Sequence, residues 1–173
     1  MTMTTEQKTE FAQNYDIHDI LQYHLTDRLS MIGLDVEQFG FDGDRGSKNY
    51  DAGFGPDLKI YADGELCAYI EVKSKRLSAN GDEWYGRLDK QHYDEYLYGN
   101  EHGFDGAKNE DVPVVIYFGV VDEESGVIVR DGFIEVESEE QVQDGFRLGG
   151  DIVVTLDKDD ERNIHWLLYE LGI

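Results

Sequence analysis

"GPDLKIYADGELCAYIEVKSK", residues 55–75, is the stretch on which the fold of this chain turns. Leu58, Ile60 and Ala62 occupy alternate positions along one apparent strand, and Leu66, Ala68 and Ile70 do so along the next. A period of two marks strands that turn one apolar face to a core. All six share that face only if paired residue numbers sum to an even value, because a slip by one turns a strand over. Pairing Ala62 with Leu66 meets the condition. It predicts a three-residue loop, Asp63-Gly64-Glu65, with Ile60 opposite Ala68, Leu58 opposite Ile70 and Asp57 opposite Glu71. A two-residue Asp63-Gly64 turn is the commoner hairpin signal. It would, however, send Asp57 and Glu71 to opposite faces, and burial of six apolar side chains outweighs one turn preference. In the even register the two carboxylates stand about 4.5–5.5 Å apart at Cβ. They repel unless a cation or a proton lies between them. Lys73 projects from the same face.

Outward from the hairpin, apolar residues at 17, 20, 21, 25, 29 and 32 predict a helix from Tyr15 to Ile32, with Asp16 as N-cap and Gly33 as its stop. Residues 1–14 read as a polar lead-in, frayed or loosely helical. "LDVEQFGF" (34–41) predicts a short strand, and "DGDRGSKNYDAGFG" (42–55) a mobile loop. After the hairpin come a loop through "SANGDEWYG" and a helix over about 87–98. "VPVVIYFGVV" (112–121) is apolar almost throughout, as a strand buried on both faces should be. "GVIVRDGFIEVES" adds one or two strands, and "DIVVTLD" and a terminal helix in "DDERNIHWLLYELG" close the chain. No internal repeat is visible. One α/β domain over residues 15–173 is expected.

Pro56-Asp57, thirteen intervening residues, then Glu71-Val72-Lys73 resembles the signature of the PD-(D/E)XK nuclease superfamily. The order helix, strand, hairpin, helix, buried strand is similar to the restriction-endonuclease-like core, a central mixed β-sheet flanked by helices. The likeness covers about residues 15–121, with 122–173 as added strands and a helix. It implies a DNA nuclease in which Asp57, Glu71 and the Val72 carbonyl hold Mg²⁺, with Mn²⁺ able to substitute. Such an ion binds through a few carboxylates and keeps several waters. Lys73 would orient or deprotonate the attacking water, or stabilise charge on the phosphorane-like transition state. The resemblance also implies a polar residue on the later helix, for which Gln91 is placed, and an acid on the first helix, for which Asp19 stands in place of the usual glutamate.

The bulk charge runs the other way. Asp and Glu number 38 against 15 Lys and Arg, a formal net charge of −23 spread along the chain. Dispersed acidity of this kind suits a halophilic surface in a salt-rich cytoplasm, where the Debye length falls to about 3 Å at molar salt. Against that background Lys73, Lys75, Arg76, Arg87 and Lys90 fall within residues 73–90. Lys75, Arg76, Arg87 and Lys90 are the expected DNA-binding strip; solvated pairs with Asp82, Glu83 and Asp89 are its bland alternative.

Hydrophobic residues at 40% and aromatics at 12% exclude a disordered acidic tail. No apolar run has membrane length, and a single cysteine leaves no disulfide framework, so a cytoplasmic, non-membrane protein is expected, whether cellular or virus-encoded. Histidines 18, 24, 92, 102 and 165 lack zinc-site spacing. Cys67 is expected on the face of the acids as a plain half-buried thiol. "GDRGSKN" lacks the ending of a phosphate loop. Trp84 and Tyr85 read first as core aromatics and second as base-stacking residues. Two rivals to a nuclease remain: a non-catalytic scaffold, such as a virion component on the same fold, and an acidic module that binds a basic protein. Cutting both strands of a duplex at once would require a homodimer.

Overall fold

The structure is a computed structural model that describes residues 5–39, 55–148 and 150–173. The loop read at 42–55 lies outside them apart from Gly55, as do residues 1–4 of the lead-in. Helix α1 spans Thr5–Met31. Ile17, Leu21, Leu25 and Leu29, four residues apart, are its buried row. The sequence places the start too late: the helix begins at Thr5, and Asp16 lies inside it rather than at its cap. Once the packed half is formed, each further residue adds a hydrogen bond without a new nucleation cost, so the helix runs back through the polar segment. It stops as expected at Gly33, whose φ is 90°.

Four strands follow around the short helix α2 (Leu77–Asn80): β1 (Asp35–Gln38), β2 (Leu58–Ala62), β3 (Glu65–Arg76) and β4 (Arg87–Asp89). Helix α3 (Lys90–Tyr98) is shorter than read, because residues 87–89 are the strand β4 rather than its first turn. Then come β5 (Val114–Val121), β6 (Ile128–Glu135), β7 (Val142–Leu148), β8 (Asp151–Leu156) and α4 (Ile164–Glu170). Helix α4 starts at Asn163, whose side chain accepts the Trp166 N–H.

Among the described residues the strands make two sheets. A five-stranded mixed sheet runs β1-β2-β3-β5-β6, with β3 and β5 parallel and the other neighbours antiparallel. A three-stranded antiparallel sheet runs β4-β8-β7. Strand β5 is buried at every position, as its composition predicts. Val115, Tyr117 and Val121 pack beneath α1 and α4, while Val114, Ile116, Phe118 and Val120 pack toward α3 and the small sheet. Gly119 belongs to the α1 side. A Cβ there would meet Leu21 Cδ1 at 2.3 Å, so a larger residue would force the buried Leu21 side chain to move. No described helix is long and apolar enough to cross a membrane.

The hairpin register corrects one sequence expectation and explains the conflict behind it. Ala62 faces Glu65, not Leu66, and Tyr61 faces Leu66, so the loop is the two-residue Asp63-Gly64 turn. Both residues have positive φ, 51° and 81°, the geometry that two-residue hairpin turns favour. Between Ile60 and Tyr61 the register then shifts, and from there Ile60 faces Ala68 and Leu58 faces Ile70. Cys67 is the extra residue of this β-bulge, its thiol pointing to the Ile60 carbonyl at 3.2 Å. The bulge restores the even register, so turn chemistry and burial are both satisfied. It also exchanges two side chains: Cys67 packs on the α1 side, away from the acids, and Leu66 on the opposite side.

Candidate metal centre

Asp57 stands just before β2, and Glu71, Lys73 and Lys75 alternate on one face of β3. The last residue of β3 paired with β2 is Ile70, so residues 71–76 extend past the hairpin, and among the described residues β5 is the strand beside them. At that point the acids interlock. The Asp57 amide donates to Glu71 Oε2 at 3.1 Å, and the Val72 amide donates to Asp57 Oδ2 at 2.8 Å. Lys73 Nζ lies 3.0 Å from Glu71 Oε1. The spacing read from the sequence therefore brings Asp57, Glu71 and Lys73 into one constellation. Val72 turns its N–H toward Asp57, away from β5. In an extended strand the carbonyl of the same residue points the same way, so the Val72 carbonyl opens on this edge too.

Two residues that the sequence reading passed over complete the group. His18, on α1, places Nε2 3.4 Å from Asp57 Oδ2. Tyr96, on α3, donates its hydroxyl to Glu71 Oε1 at 2.6 Å. The sequence does carry a signal for His18: it follows the buried Ile17, one position before the acid that was singled out. Asp19 itself lies 4.0 Å from His18 Nδ1 and so stands behind the histidine. Tyr96 takes the contact from α3 for which Gln91 was expected. Gln91 is exposed, in a groove of about 760 Å³ that also includes Lys90, Asp94, Tyr98 and Ile152.

The charges are pushed apart in a way that suits a cation. Burial first, and the Asp57 carboxylate second, raise Glu71 to about 7 against the pull of Lys73 and Tyr96. Burial alone would raise Asp57 as well, but its hydrogen bond and attraction to His18, the Val72 amide and Lys73 hold it below the usual range. Burial disfavours the charge on Lys73, yet Glu71 and Asp57 outweigh it and raise that ammonium. Among the described residues no three His, Cys, Asp or Glu side chains form a ready-made metal cage. A hard dication that keeps its waters needs only one or two carboxylates. Asp57, Glu71 and the Val72 carbonyl offer that oxygen set, and the mutual repulsion of the acids is what a dication relieves. The donor set fits Mg²⁺ or Mn²⁺.

The expected DNA-binding strip divides. Lys90 pairs with Asp94, and Arg87 with Glu83 and Asn80. Arg76 lies at the end of β3, half-buried. Lys75 reaches across to the small sheet, where its ammonium donates to the Arg87 carbonyl at 2.9 Å. Burial, then Lys73 and Arg87, lower Lys75 to about 8, with Asp89 opposing. Trp84 and Tyr85 are packing residues: Tyr85 is buried, and Trp84 donates its indole N–H to the Leu156 carbonyl.

A pH effect follows with a definite sign. The folded Lys75 amine releases its proton near pH 8, whereas an unfolded lysine holds it to about 10.4. Over that window the unfolded chain binds more protons, so Lys75 makes stability rise with pH from about 8 toward 10. The urea midpoint of the wild type should therefore gain on that of Lys75→Met across this range. Parallel curves would contradict the lowered lysine.

No protein-family model, curated protein or solved structure matches this chain.

Proposed function

We propose that this chain is a metal-dependent DNA nuclease, hydrolysing phosphodiester bonds at a site made by Asp57, Glu71 and Lys73 on a restriction-endonuclease-like core. The observation that carries this reading is the interlock of Asp57 with Glu71 across the end of the hairpin, with Lys73 3.0 Å from the second acid. When bound, Mg²⁺ or Mn²⁺ supplies a Lewis acid for the phosphate and lowers the pKa of a bound water. The rest is the work of the protein. The Val72 amide and His18 fix the Asp57 carboxylate. The Asp57 amide and Tyr96 fix Glu71. Lys73, held over the Tyr96 ring at 5.6 Å, sets a positive charge beside the acids where the scissile phosphate gains charge. Preorganised groups of this kind need no rearrangement as the reaction proceeds.

One observation favours a second reading, a non-catalytic scaffold on the same architecture. Both oxygens of Glu71 already accept hydrogen bonds from the protein, so the network is satisfied as it stands. One assay separates the two. Circular, linear, branched and single-stranded DNA are incubated at molar salt with Mg²⁺, with Mn²⁺, or with a chelator, and the protein's melting temperature is recorded under each condition. Cleavage and a rise in melting temperature that both require the ion, with cleavage lost in Lys73→Met, are the expected result. Intact DNA together with a melting temperature indifferent to the ion removes the nuclease reading and leaves the non-catalytic ones.

A further inference from the structure

Most cations near the site already have a carboxylate. Lys73 lies on Glu71, Arg87 on Glu83 and Lys90 on Asp94. Lys75 differs. Its half-buried ammonium has three donors, and the hydrogen bond it makes is to a neutral carbonyl, that of Arg87. No carboxylate among the described residues lies within ion-pair distance of it. The charged groups around it are Lys73 on β3 and Arg87 and Asp89 on β4, two cations against one acid. Lys75 is thus a desolvated cation with more like than opposite charge around it, an unfavourable arrangement to leave as it stands.

Position supplies the missing partner. Lys75 follows Lys73 by two residues on the same face of β3, roughly 6–7 Å further along the strand. It lies on the segment that extends past the hairpin, where no strand covers the outer edge among the described residues. That step matches the reach from one phosphate of a polynucleotide to the next. We propose that Lys75 binds the phosphate adjoining the one that is cleaved, so that the substrate is a polynucleotide backbone rather than a phosphomonoester or a free mononucleotide. The inference rests on the nuclease reading and narrows it. Lys75 is a binding residue here: it touches the substrate at a phosphate that does not react.

The test uses the full chain and labelled oligonucleotides, single-stranded and duplex, in which each phosphate in turn is a neutral methylphosphonate. Binding is followed by fluorescence anisotropy over a salt series, and cleavage in parallel, for the wild type and Lys75→Gln; Lys75→Met replaces the latter should it misfold. Lys75→Gln is expected to weaken binding and raise KM about tenfold, the effect of one charge-assisted hydrogen bond, with a much smaller change in kcat. The slope of log affinity against log salt should flatten by about 0.7 on a single strand. The decisive readout is a single methylphosphonate position, beside the scissile bond, that weakens the wild type and leaves the variant unchanged. Should the wild type cleave DNA while the variant responds identically to every methylphosphonate, the Lys75 assignment falls and the nuclease reading stands. Should the wild type neither bind nor cleave any of the oligonucleotides, the nuclease reading falls and takes this inference with it.

Discussion

Asp57→Asn is expected to lower metal-dependent cleavage by roughly a thousandfold or more, the scale seen when a preorganised electrostatic group is removed from a transition state. The substitution is nearly isosteric. Asparagine keeps a side-chain oxygen to accept the Val72 N–H, the bond that Asp57 Oδ2 accepts at 2.8 Å. What it removes is the negative charge that faces His18 and repels Glu71. The fold should therefore persist, with its circular dichroism close to that of the wild type and a somewhat lower urea midpoint, because the folded state favours the charged form of Asp57, while initial rates collapse. Asp19→Asn is the matched control. Its carboxylate lies 4.0 Å from His18 Nδ1, on the side of the imidazole away from Asp57, and its loss should change rates by a few-fold at most. Comparable rates for Asp57→Asn and the wild type would remove the carboxylate pair from the chemistry.

The largest expected effect on stability is at Leu25. It is fully buried in the row that joins α1 to the mixed sheet. Leu25→Ala removes that packing and leaves a cavity, at a cost of about 2–5 kcal/mol. Against a total of roughly 5–15 kcal/mol for a domain of ordinary stability, this brings the protein close to its unfolding threshold. Urea denaturation in high salt should show a lower midpoint with an unchanged slope, since the surface exposed on unfolding hardly alters. Tyr23 stands two residues away and is 60% exposed. Tyr23→Ala should shift stability by no more than about 0.5 kcal/mol. Equal midpoints for the two variants would mean that α1 does not seat on the sheet through this row.

The period-two alternation of residues 58–70 was enough to place Asp57 and Glu71 together, because one-sided burial leaves a hairpin few registers and only one kind aligned the acids. Strand β5 was equally plain, since a run apolar at every position has no solvent face to offer. The buried row of α1 was visible in the spacing of Ile17, Leu21, Leu25 and Leu29. Other features were decided only by the folded chain. The bulge at Cys67 reconciles a local turn preference with a long-range burial pattern, and neither signal contains the compromise. Strand β4 is paired to β8 across a long stretch of sequence, and a three-residue strand carries no readable period. His18 and Tyr96 reach the acids because two helices, one on each side of the mixed sheet, meet its open end. Which residue of a helix turns inward at such a place depends on how the helix is seated on the sheet, and that is settled by packing over the whole core rather than by any local pattern of residues.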